Sequence, residues 1–432
     1  MDFVDEGTTM QETPKGLRLH IGLFGRRNVG KSSLINALVG QSIAIVSEVP
    51  GTTTDPVEKS MEMAPVGPVV FIDTAGIDDT GALGALRMEK TARCLERTDV
   101  AVIVAGPEGL GDFEQGLIDL LRDKATPFCI AFNKCDLSDS NGAAAPDAAD
   151  RDRLDRDQVP HIAVSAIRGT RIDALKTMIA GLVPQGADQG GMQEPHLLGD
   201  LLRPGDLVIL VVPIDLGAPK GRLILPQVMA IRDCLDSDAT CLIVKERELR
   251  DAFAGLARKP RLVVCDSQVV LKAAADTPPD IPLTTFSILM ARLKGDLIRL
   301  AEGAAAIHRL RPGDRVLIAE SCTHHPLADD IGRVKIPRWL RQFAGGRLEV
   351  DNIAGGDFPA DLSPYDLVVQ CGGCMANRKQ ILCRLNQATD QGIPMTNYGV
   401  AISVVQGVLP RALECFPAAR AAYDRALAAE RP

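Results

Sequence analysis

Residues 25–32 read Gly25-Arg-Arg-Asn-Val-Gly-Lys-Ser32, and they decide the fold of the N-terminal region. The apolar stretch from Leu17 to Phe24 is typical of a buried strand, and residues 33–39 have the spacing of an amphipathic helix. A glycine-containing loop between a strand and a helix, ending in Lys-Ser, is a phosphate-binding loop. The sequence therefore predicts an α/β nucleotide-binding domain.

Each part of this loop has an expected role. Gly25 and Gly30 allow backbone N–H groups to surround phosphate oxygens, and Lys31 is placed to reach the β and γ phosphates. The Ser32 hydroxyl is expected to bind Mg²⁺, and we place Ser33 beside it in the nucleotide site. The loop identifies a nucleotide without specifying the base.

Two further segments are expected to act on the metal and the γ-phosphate. A strand over 69–73 leads into Asp73-Thr-Ala-Gly76, where the Asp73 carboxylate would hold the Mg²⁺ shell and the Gly76 amide would sense the γ-phosphate. Upstream, Gly51-Thr-Thr-Thr54 offers Thr53 as a second metal ligand. The predicted catalytic residues are Lys31, Thr53, Asp73 and Gly76.

The base is predicted by two more loops. A strand over 128–132 leads into Asn133-Lys-Cys-Asp136, where the Asp136 carboxylate can accept hydrogen bonds from N1–H and the exocyclic amine of guanine. Adenine cannot supply that pair of donors. A strand over 161–164 ends in Ser165-Ala166, which would support the base together with Asn133 and Lys134. Five motifs in this order predict GTP as the nucleotide and its hydrolysis as the reaction.

Two residues are relevant to how GTP hydrolysis is catalysed. Ile77 stands where Ras-like proteins carry the glutamine that orients the attacking water. Asn28, together with residues 51–54, resembles the potassium-activated GTPases related to the tRNA-modifying protein MnmE and to Era. That resemblance implies that Asn28 binds K⁺ beside the phosphates, where the cation replaces an arginine finger. The alternative is that Asn28 only caps the loop through side-chain hydrogen bonds.

Length and composition limit the remaining possibilities. A chain of 432 residues is long for one core and predicts several domains. Its net charge of −8 argues against nucleic acid as a partner. No apolar run is long enough to span a bilayer and no secretory pattern is visible, so we expect a cytoplasmic protein without a membrane role. In that compartment, eleven cysteines are expected to be thiols or metal ligands.

The rest of the chain predicts two further α/β layers. Strands over 207–212, 241–244 and 262–264 alternate with helical patterns, as in a small parallel sheet. Strands over 315–320 and 366–370 belong to a later region. The predicted fold class is α/β, a P-loop GTPase domain followed by two smaller α/β domains with parallel sheets. The expected boundaries are a GTPase domain over 1–183, a linker over 184–196, a middle domain over 197–300 and a last domain over 301–432.

Three cysteines follow the two late strands. Cys322 comes after the first strand, and Cys371 and Cys374 come after the second. If these strands are parallel neighbours, their loops converge at one edge of the sheet. Three thiolates with two glycines between the last pair suit an iron–sulfur cluster. Zinc held by the three cysteines and His324 is the alternative.

Taken together, four segments resemble the HydF family of [FeFe]-hydrogenase maturation GTPases over almost the whole chain. They are the loop with Asn28, Ala218-Pro-Lys-Gly-Arg-Leu-Ile-Leu-Pro226, Glu320-Ser-Cys-Thr-His-His-Pro326 and Cys371-Gly-Gly-Cys374. The family pattern is Cys-x-His, a long spacer, and His-Cys-x-x-Cys. Here Gln370 stands in place of the second histidine.

This resemblance implies a function. A [4Fe–4S] cluster would sit on Cys322, Cys371 and Cys374, with His324 as a further candidate ligand. Its open iron would accept a diiron precursor made by radical-SAM hydrogenase maturation proteins. The chain would be a GTP-switched scaffold and carrier that delivers this cargo to apo-[FeFe]-hydrogenase, and its middle domain would form a homodimer.

Two other functions and one ambiguous segment stay open at this stage. The first is an RNA-associated GTPase like Era or MnmE with a structural zinc site, and the second is a GTP-dependent redox enzyme acting on a small substrate. The basic residues from Arg333 to Arg341 are expected either to bind an anionic cofactor or partner, or to form a solvated face with Trp339 packed behind.

Overall fold

The structure is a computed structural model, which describes residues 13–40, 57–74, 91–137, 148–183, 196–214, 223–321, 330–355 and 358–429. It separates into two compact units, Met1–Gln189 and Gly190–Pro432. Each unit has its own sheets and its own hydrophobic core. No helix in these ranges is long and apolar enough to cross a membrane.

The described part of the first unit is built on a six-stranded sheet. The strands are β1 (Leu19–Phe24), β2 (Val57–Met63), β3 (Gly67–Asp73), β4 (Val100–Ala105), β5 (Phe128–Phe132) and β6 (His161–Ala163). Their order is β2-β3-β1-β4-β5-β6, and β2 runs antiparallel to β3 while the other pairs are parallel. The central strands are buried apolar runs, as expected of a parallel sheet covered on both faces.

Helices cover both faces of this sheet. Those bounded within the described ranges are α1 (Lys31–Val39), α2 (Asp112–Asp123), α3 (Ala148–Arg156) and α4 (Ile172–Leu182). Alternate residues of β4 point to opposite faces, so Val102 packs in the cluster with α1 and α4, and Ile103 packs in the cluster with α2 and α3. One boundary differs from the sequence prediction, because a 3₁₀ turn over Lys15–Leu17 follows Pro14 and β1 begins only at Leu19.

The second unit contains two small parallel sheets, as the sequence predicts. We call the first the middle module, residues 197–295. Its strands are β7 (Leu207–Val211), β8 (Thr240–Val244), β9 (Leu262–Cys265) and β10 (Leu283–Thr285), and its helices are α5 (Leu225–Asp236), α6 (Leu249–Ala254), α7 (Val270–Asp276) and α8 (Phe286–Lys294). The strand order is β10-β9-β7-β8.

The C-terminal module comprises residues 297–429. Its strands are β11 (Arg315–Ala319), β12 (Glu349–Ile353), β13 (Leu367–Gln370) and β14 (Met395–Asn397), in the order β12-β11-β13-β14. Its helices are α9 (Leu297–Ala304), α10 (Ile336–Ala344), α11 (Arg378–Asp390), α12 (Tyr398–Val405), α13 (Leu409–Ala412) and α14 (Pro417–Ala429), with a π-helical turn over Ile331–Lys335 before α10. One continuous hydrophobic core runs through both modules.

The two modules repeat one topology. In each, the first strand lies between the second and the third, and the fourth pairs with the third. Both first strands follow the sequence Arg-Pro-Gly-Asp, at 203–206 and 311–314, and in both the aspartate carboxylate accepts a hydrogen bond from the arginine backbone N–H, at 2.9 Å and 2.7 Å. The strand registers pair Val211 with Cys265 and Ala319 with Gln370. Residue 265 in the middle module is therefore the counterpart of Gln370.

Candidate functional sites

The phosphate loop connects β1 to α1 and requires its two glycines. Gly25 and Gly30 have φ values of 151° and 94°, which disfavour other residues. A Cβ at Gly25 would lie 2.2 Å from the Val104 carbonyl oxygen, and one at Gly30 would lie 2.4 Å from the Asn133 side chain. Gly30 is also the residue before the first turn of α1, whose N–H groups have no acceptor within the helix. These N–H groups form an anion site.

Lys31 and the two serines lie at the start of α1. The Lys31 side chain is buried, and its Nζ donates to the carbonyl oxygens of Gly25 at 2.6 Å and Arg26 at 2.9 Å. The ammonium group is thus held against the inside of the loop, where phosphate oxygens would be its partners. Ser32 and Ser33 are exposed on the first helical turn, so their hydroxyls are open to a metal ion or a phosphate.

Residues 133–136, the first of the two predicted guanine-binding loops, contact both the phosphate loop and the second loop at residues 165–166. The Asn133 amide donates to the Val29 carbonyl at 2.9 Å and its Oδ1 accepts from the Ala166 N–H at 3.0 Å. Lys134 Nζ donates to the carbonyl oxygen of Asn28, which has a left-handed φ of 64°. Asn133 therefore joins all three loops of the predicted nucleotide site, and the structure brings these predicted residues together.

A neighbouring hydroxyl keeps the Asp136 carboxylate ionised and able to accept hydrogen bonds. Ser165 is fully buried and its hydroxyl donates to Asp136 Oδ1, which holds the pKa of that carboxyl below its usual range. The Ser165 Oγ also accepts from the Arg168 N–H at 3.1 Å, so the hydroxyl is oriented toward the carboxylate. The second carboxylate oxygen is left for the base.

The metal and γ-phosphate residues are only partly within the described ranges. Asp73 is buried at the end of β3, paired in register with Leu23 of β1, and the next residue, Thr74, donates to the Leu23 carbonyl at 2.6 Å. Asp73 is thus fixed at the strand edge next to the phosphate loop. Thr53, Gly76 and Ile77 lie outside the described residues.

The side chain of Asn28 is exposed and makes no hydrogen bond to another residue in the described part of the chain. The capping alternative needs such a bond, so the described residues give it no support. Potassium binding at Asn28 stays a prediction.

One ion pair of the phosphate loop was missed by sequence reasoning. Arg26 Nε lies 2.8 Å from Glu114 Oε1, and Glu114 is fully buried in the first turn of α2. The second carboxylate oxygen accepts from the Gly111 N–H at 3.0 Å, and Arg26 also donates to the Gly109 carbonyl at 2.9 Å. The signal in the sequence was a charged residue on the apolar face of α2.

The second site lies at the carboxyl ends of β11 and β13. These strands are parallel neighbours, so the condition for bringing the cysteine loops together is met. We call residues 371–376 the cysteine turn. The Cys371 Sγ lies 3.1 Å from the Ser321 N–H donor, 3.4 Å from the Gly373 nitrogen and 3.4 Å from Gln370 Nε2. Three N–H groups therefore point at one sulfur.

Gln370 is held by its neighbours. It is 1% exposed, its Oε1 accepts from Arg384 Nη1 at 3.0 Å, and its Nε2 also donates to the Ser321 hydroxyl at 3.0 Å. Arg384 is itself buried, donates to the Gly355 carbonyl at 2.7 Å and stacks 5.0 Å from the Phe358 ring. This arrangement turns the amide N–H of Gln370, and not its oxygen, toward Cys371.

A buried lysine at the cysteine turn opposes the effect of burial on the Cys374 thiol. Burial raises the pKa of the Cys374 thiol and the neighbouring Cys371 adds to the shift, whereas Lys294 opposes it. Burial lowers the pKa of Lys294 to about 8, so this lysine stays largely protonated at pH 7. A buried cation and three N–H donors are features that stabilise thiolate ligands of an iron–sulfur cluster, and the residues present fit such a group.

The described residues do not contain the full predicted ligand set. Cys322, His324 and the segment 218–222 lie outside them, and no group of three or more His, Cys, Asp or Glu side chains with metal-ligand geometry occurs among the rest. Of the basic run, Arg333 pairs with the buried Glu320 at 3.1 Å and Lys335 donates to Gln268 at 2.8 Å. These two residues thus have structural partners.

Three family models match successive parts of the chain. A model described as 50S ribosome-binding GTPase matches residues 20–134. A hydrogen maturase F dimerization domain matches residues 197–295, and a hydrogen maturase F tetramerization domain matches residues 298–415. These matches follow the order of the first unit, the middle module and the C-terminal module.

Curated relatives match the GTPase region alone. The tRNA modification GTPase MnmE of Chromobacterium violaceum is 39% identical over 175 residues, which are 40% of this chain and 36% of that protein. GTPase Der of Wolinella succinogenes is 32% identical over 179 residues, covering 40% of this chain and 37% of that protein. The chain therefore spans little more than a third of the length of these relatives.

Among solved structures, Era of Aquifex aeolicus bound to GDP.AlF4- aligns with 52% of this chain and 93% of its own, at 20% identity and a TM-score of 0.32. Because a GTPase domain is followed by two consecutive domains specific to one family, the chain belongs to the hydrogen maturase F family, HydF.

Proposed function

We propose that this chain is a GTP-hydrolysing scaffold that binds a [4Fe–4S] cluster and carries the diiron precursor of the [FeFe]-hydrogenase active site to apo-hydrogenase. The observation that carries the proposal is the Cys371 sulfur, which receives three N–H hydrogen bonds in a glycine-containing turn. Hydrogen bonds of this kind lower the energy of a thiolate that ligates iron.

In this proposal Cys322, Cys371 and Cys374 hold the cluster, with His324 as a further candidate. When bound, the cluster supplies one iron that is not held by cysteine and is open to an exchangeable ligand or to the cargo. Gln370 acts on Cys371 as a hydrogen-bond donor, because Arg384 occupies its amide oxygen. The fourth ligand is then expected to come from a residue or molecule other than Gln370.

The GTPase domain acts as the switch. Asp136, Asn133, Ser165 and Ala166 select guanine, and Lys31, Ser32 and Asp73 hold the phosphates and Mg²⁺ together with Thr53 and Gly76. Asn28 binds K⁺, which neutralises charge developing on the phosphates during hydrolysis. GTP turnover changes the surface of this domain and so the docking of other proteins, without transferring a chemical group to the cargo.

The remaining parts of the proposal concern partners. Radical-SAM maturation proteins load the precursor, apo-[FeFe]-hydrogenase receives it, and the chain works in the cytoplasm as a homodimer. The matches to a dimerization domain and a tetramerization domain support oligomerization. The other partners follow from the family to which the chain belongs.

The test is anaerobic reconstitution of the full chain with iron and sulfide, followed by EPR spectroscopy and measurement of iron, sulfide and zinc. We expect a reduced cubane signal that is lost in Cys371→Ala and retained in Cys415→Ala, a half-buried cysteine of the same module. Added imidazole should shift the signal, because one iron accepts an exchangeable ligand. Stoichiometric zinc with no cluster in the parent protein would overturn the scaffold proposal.

The alternative function is an RNA-associated GTPase with a structural zinc site. It draws on the relatives named as tRNA modification GTPases, but these match only the GTPase region. Zinc bound in place of a cluster, together with retention of RNA by the purified protein, would favour this alternative.

A further inference from the structure

Lys294 connects the two modules of the second unit at the cysteine turn. It is the last residue of α8 in the middle module, and its side chain is 3% exposed. Its Nζ donates to three backbone carbonyl oxygens, those of Gly373 at 2.9 Å, Cys374 at 3.1 Å and Ala376 at 2.6 Å. All three acceptors belong to the cysteine turn, so one ammonium group fixes the backbone of the whole segment.

This lysine is not required by the fold of the module. The strand registers make Thr285 the counterpart of Asn397, because these residues pair with Cys265 and Gln370 respectively. Counting nine residues from each gives Gln406 as the counterpart of Lys294. Gln406 is only half-buried and follows the last residue of α12, so the counterpart helix ends without a buried cation. Lys294 therefore serves the cysteine turn and not the α/β module as such.

The charge of Lys294 is not balanced by a carboxylate among the described residues, since its three partners are neutral carbonyl groups. Burying an ammonium group without an opposite charge is costly. One of its three partners is the carbonyl oxygen of Cys374 itself, so the ammonium group lies against the backbone that carries this thiol. A bound anion on the sulfurs of the cysteine turn would complete the charge balance.

A second contact holds the C-terminal end of α8 against the start of α11. Arg378 of α11, four residues after Cys374, donates from Nη1 to the carbonyl oxygens of Leu293 at 2.6 Å and Gly295 at 3.0 Å. The end of α8 and the segment 373–378 are thus joined in both directions, because each has a cationic side chain that donates hydrogen bonds to backbone carbonyl oxygens of the other. The shape of the turn depends on the middle module.

We propose that Lys294 is a positioning residue for the cluster site, which holds the cysteine turn in its ligating shape and places a buried positive charge beneath the thiolates. The proposal rests on the proposed function, because it assigns the charge to a cluster held by Cys371 and Cys374. Positive charge near an iron–sulfur cluster favours the reduced form. The middle module is then a part of the cluster site as well as an oligomerization domain.

The test compares the full-length parent with Lys294→Met, which keeps the length of the side chain but removes its charge and donors. Lys294→Arg keeps the charge, and Lys272→Met removes a half-exposed lysine of the same module, whose partner Asp276 retains a second ion pair with Arg250. After anaerobic reconstitution, an EPR-monitored redox titration gives the midpoint potential. Iron release to a chelator gives the stability of the bound cluster.

We expect Lys294→Met to shift the midpoint potential to more negative values and to release iron roughly tenfold faster or more, the change that a loss of about 1.4 kcal/mol produces. Lys294→Arg should lie closer to the parent in potential, and Lys272→Met should match the parent in both measurements. A folded Lys294→Met protein with the potential and the iron-release rate of the parent would overturn the proposal. If Lys294→Met does not fold, Lys294→Gln takes its place in the same comparison.

A separate measurement distinguishes this inference from the proposed function. Hydrogen–deuterium exchange of the apo-protein reports on amides 371–377 without any cluster. Faster exchange in Lys294→Met and unchanged exchange in Lys272→Met would support the positioning role even if the parent bound no cluster. Equal exchange in parent and Lys294→Met would contradict the positioning role. A parent that takes up zinc alone would instead refute the scaffold proposal and the charge role with it.

Discussion

At the scale of single residues, the proposed role of Asp136 in selecting guanine can be tested directly. We expect Asp136→Asn to weaken GTP binding by roughly 10- to 100-fold, because two hydrogen bonds to a charged acceptor are lost. Xanthosine triphosphate should bind better to the variant than to the parent, since its base carries a carbonyl where guanine has an amine. Titration with fluorescent nucleotides measures both affinities. Asp173→Asn, at an exposed carboxylate of α4, is the control.

The pH dependence of GTP binding follows from the same carboxyl group. The Ser165 hydroxyl lowers the pKa of Asp136, so its charged form is present at all pH values above that lowered pKa. Its contribution to binding is lost only as the pH falls through the lowered value. We expect the ratio of the GTP affinities of the parent and Asp136→Asn, in which the titration of the phosphates cancels, to stay constant from about pH 8 to about pH 5, below which ordinary aspartates begin to protonate. Ser165→Ala should move the loss of affinity to a higher pH.

The proposed potassium site at Asn28 predicts that GTP hydrolysis depends on potassium. In the parent, GTP turnover should be roughly tenfold faster or more in KCl than in NaCl, because a bound cation takes the role of an arginine finger. Asn28→Ala should turn over GTP at the same low rate in both salts. Asn36→Ala, at an exposed asparagine of α1, the helix that follows the phosphate loop, should keep the potassium dependence. Equal rates for the parent in the two salts would rule out this role for Asn28.

At the scale of elements, the sequence predicts strands better than it predicts contacts. Strands such as β4 and β5 are unbroken apolar runs, and their existence and parallel direction follow from that pattern. The strands β10 and β14 have only three residues each, and each contains threonine. Their apolar pattern is therefore too short to detect in the sequence. The repeated Arg-Pro-Gly-Asp, in contrast, is a signal that a search for internal similarity would have found.

Some site residues could be predicted from the sequence, and others could not. Lys31, Asn133 and Asp136 belong to local motifs whose spacing specifies their roles, so their positions were predictable. Arg26 with Glu114, and Lys294 with the cysteine turn, are pairs that lie far apart in the chain and meet only after folding. No local pattern marks the partner of such a residue. A buried charge in an apolar face shows only that a partner must exist.

Glu114 of α2 holds the phosphate loop through its ion pair with Arg26. Replacing Glu114 should therefore lower both the stability of the GTPase domain and its affinity for nucleotide. Glu114→Ala removes a buried carboxylate that accepts hydrogen bonds from the half-exposed Arg26 and from the Gly111 N–H. We expect the free energy of unfolding of the GTPase domain to fall by about 2 kcal/mol, with weaker GDP binding because Arg26 is part of the phosphate loop. Urea unfolding and nucleotide titration measure the two effects. Asp119→Ala, exposed on the same helix, should change neither.

At the scale of the whole molecule, the two modules differ in their exposed sheet edges. The fourth strands β10 and β14 are buried, whereas the second strands β8 and β12 lie at open edges of their described sheets. On β12 the exposed residues are Glu349 and Asn352, and polar residues of this kind discourage edge pairing. On β8 the exposed residues include Ile243, 46% exposed. The middle module therefore offers the more favourable edge for self-association.

If a homodimer forms along the edge strand β8, a charged substitution on that strand should disrupt it. A second copy pairing along β8 would cover Ile243 and satisfy the backbone groups of the edge strand, in agreement with the match of this module to a dimerization domain. Ile243→Lys places a charge in that contact, so the mass from light scattering should fall to half that of the parent. Leu271→Lys, at an exposed leucine of α7 in the same module, should keep the parent mass. An unchanged mass for Ile243→Lys would place the dimer contact on another face. Because Lys294 joins this module to the cysteine turn, a monomeric Ile243→Lys protein that still binds its cluster would separate the oligomerization role of the middle module from its role in the cluster site.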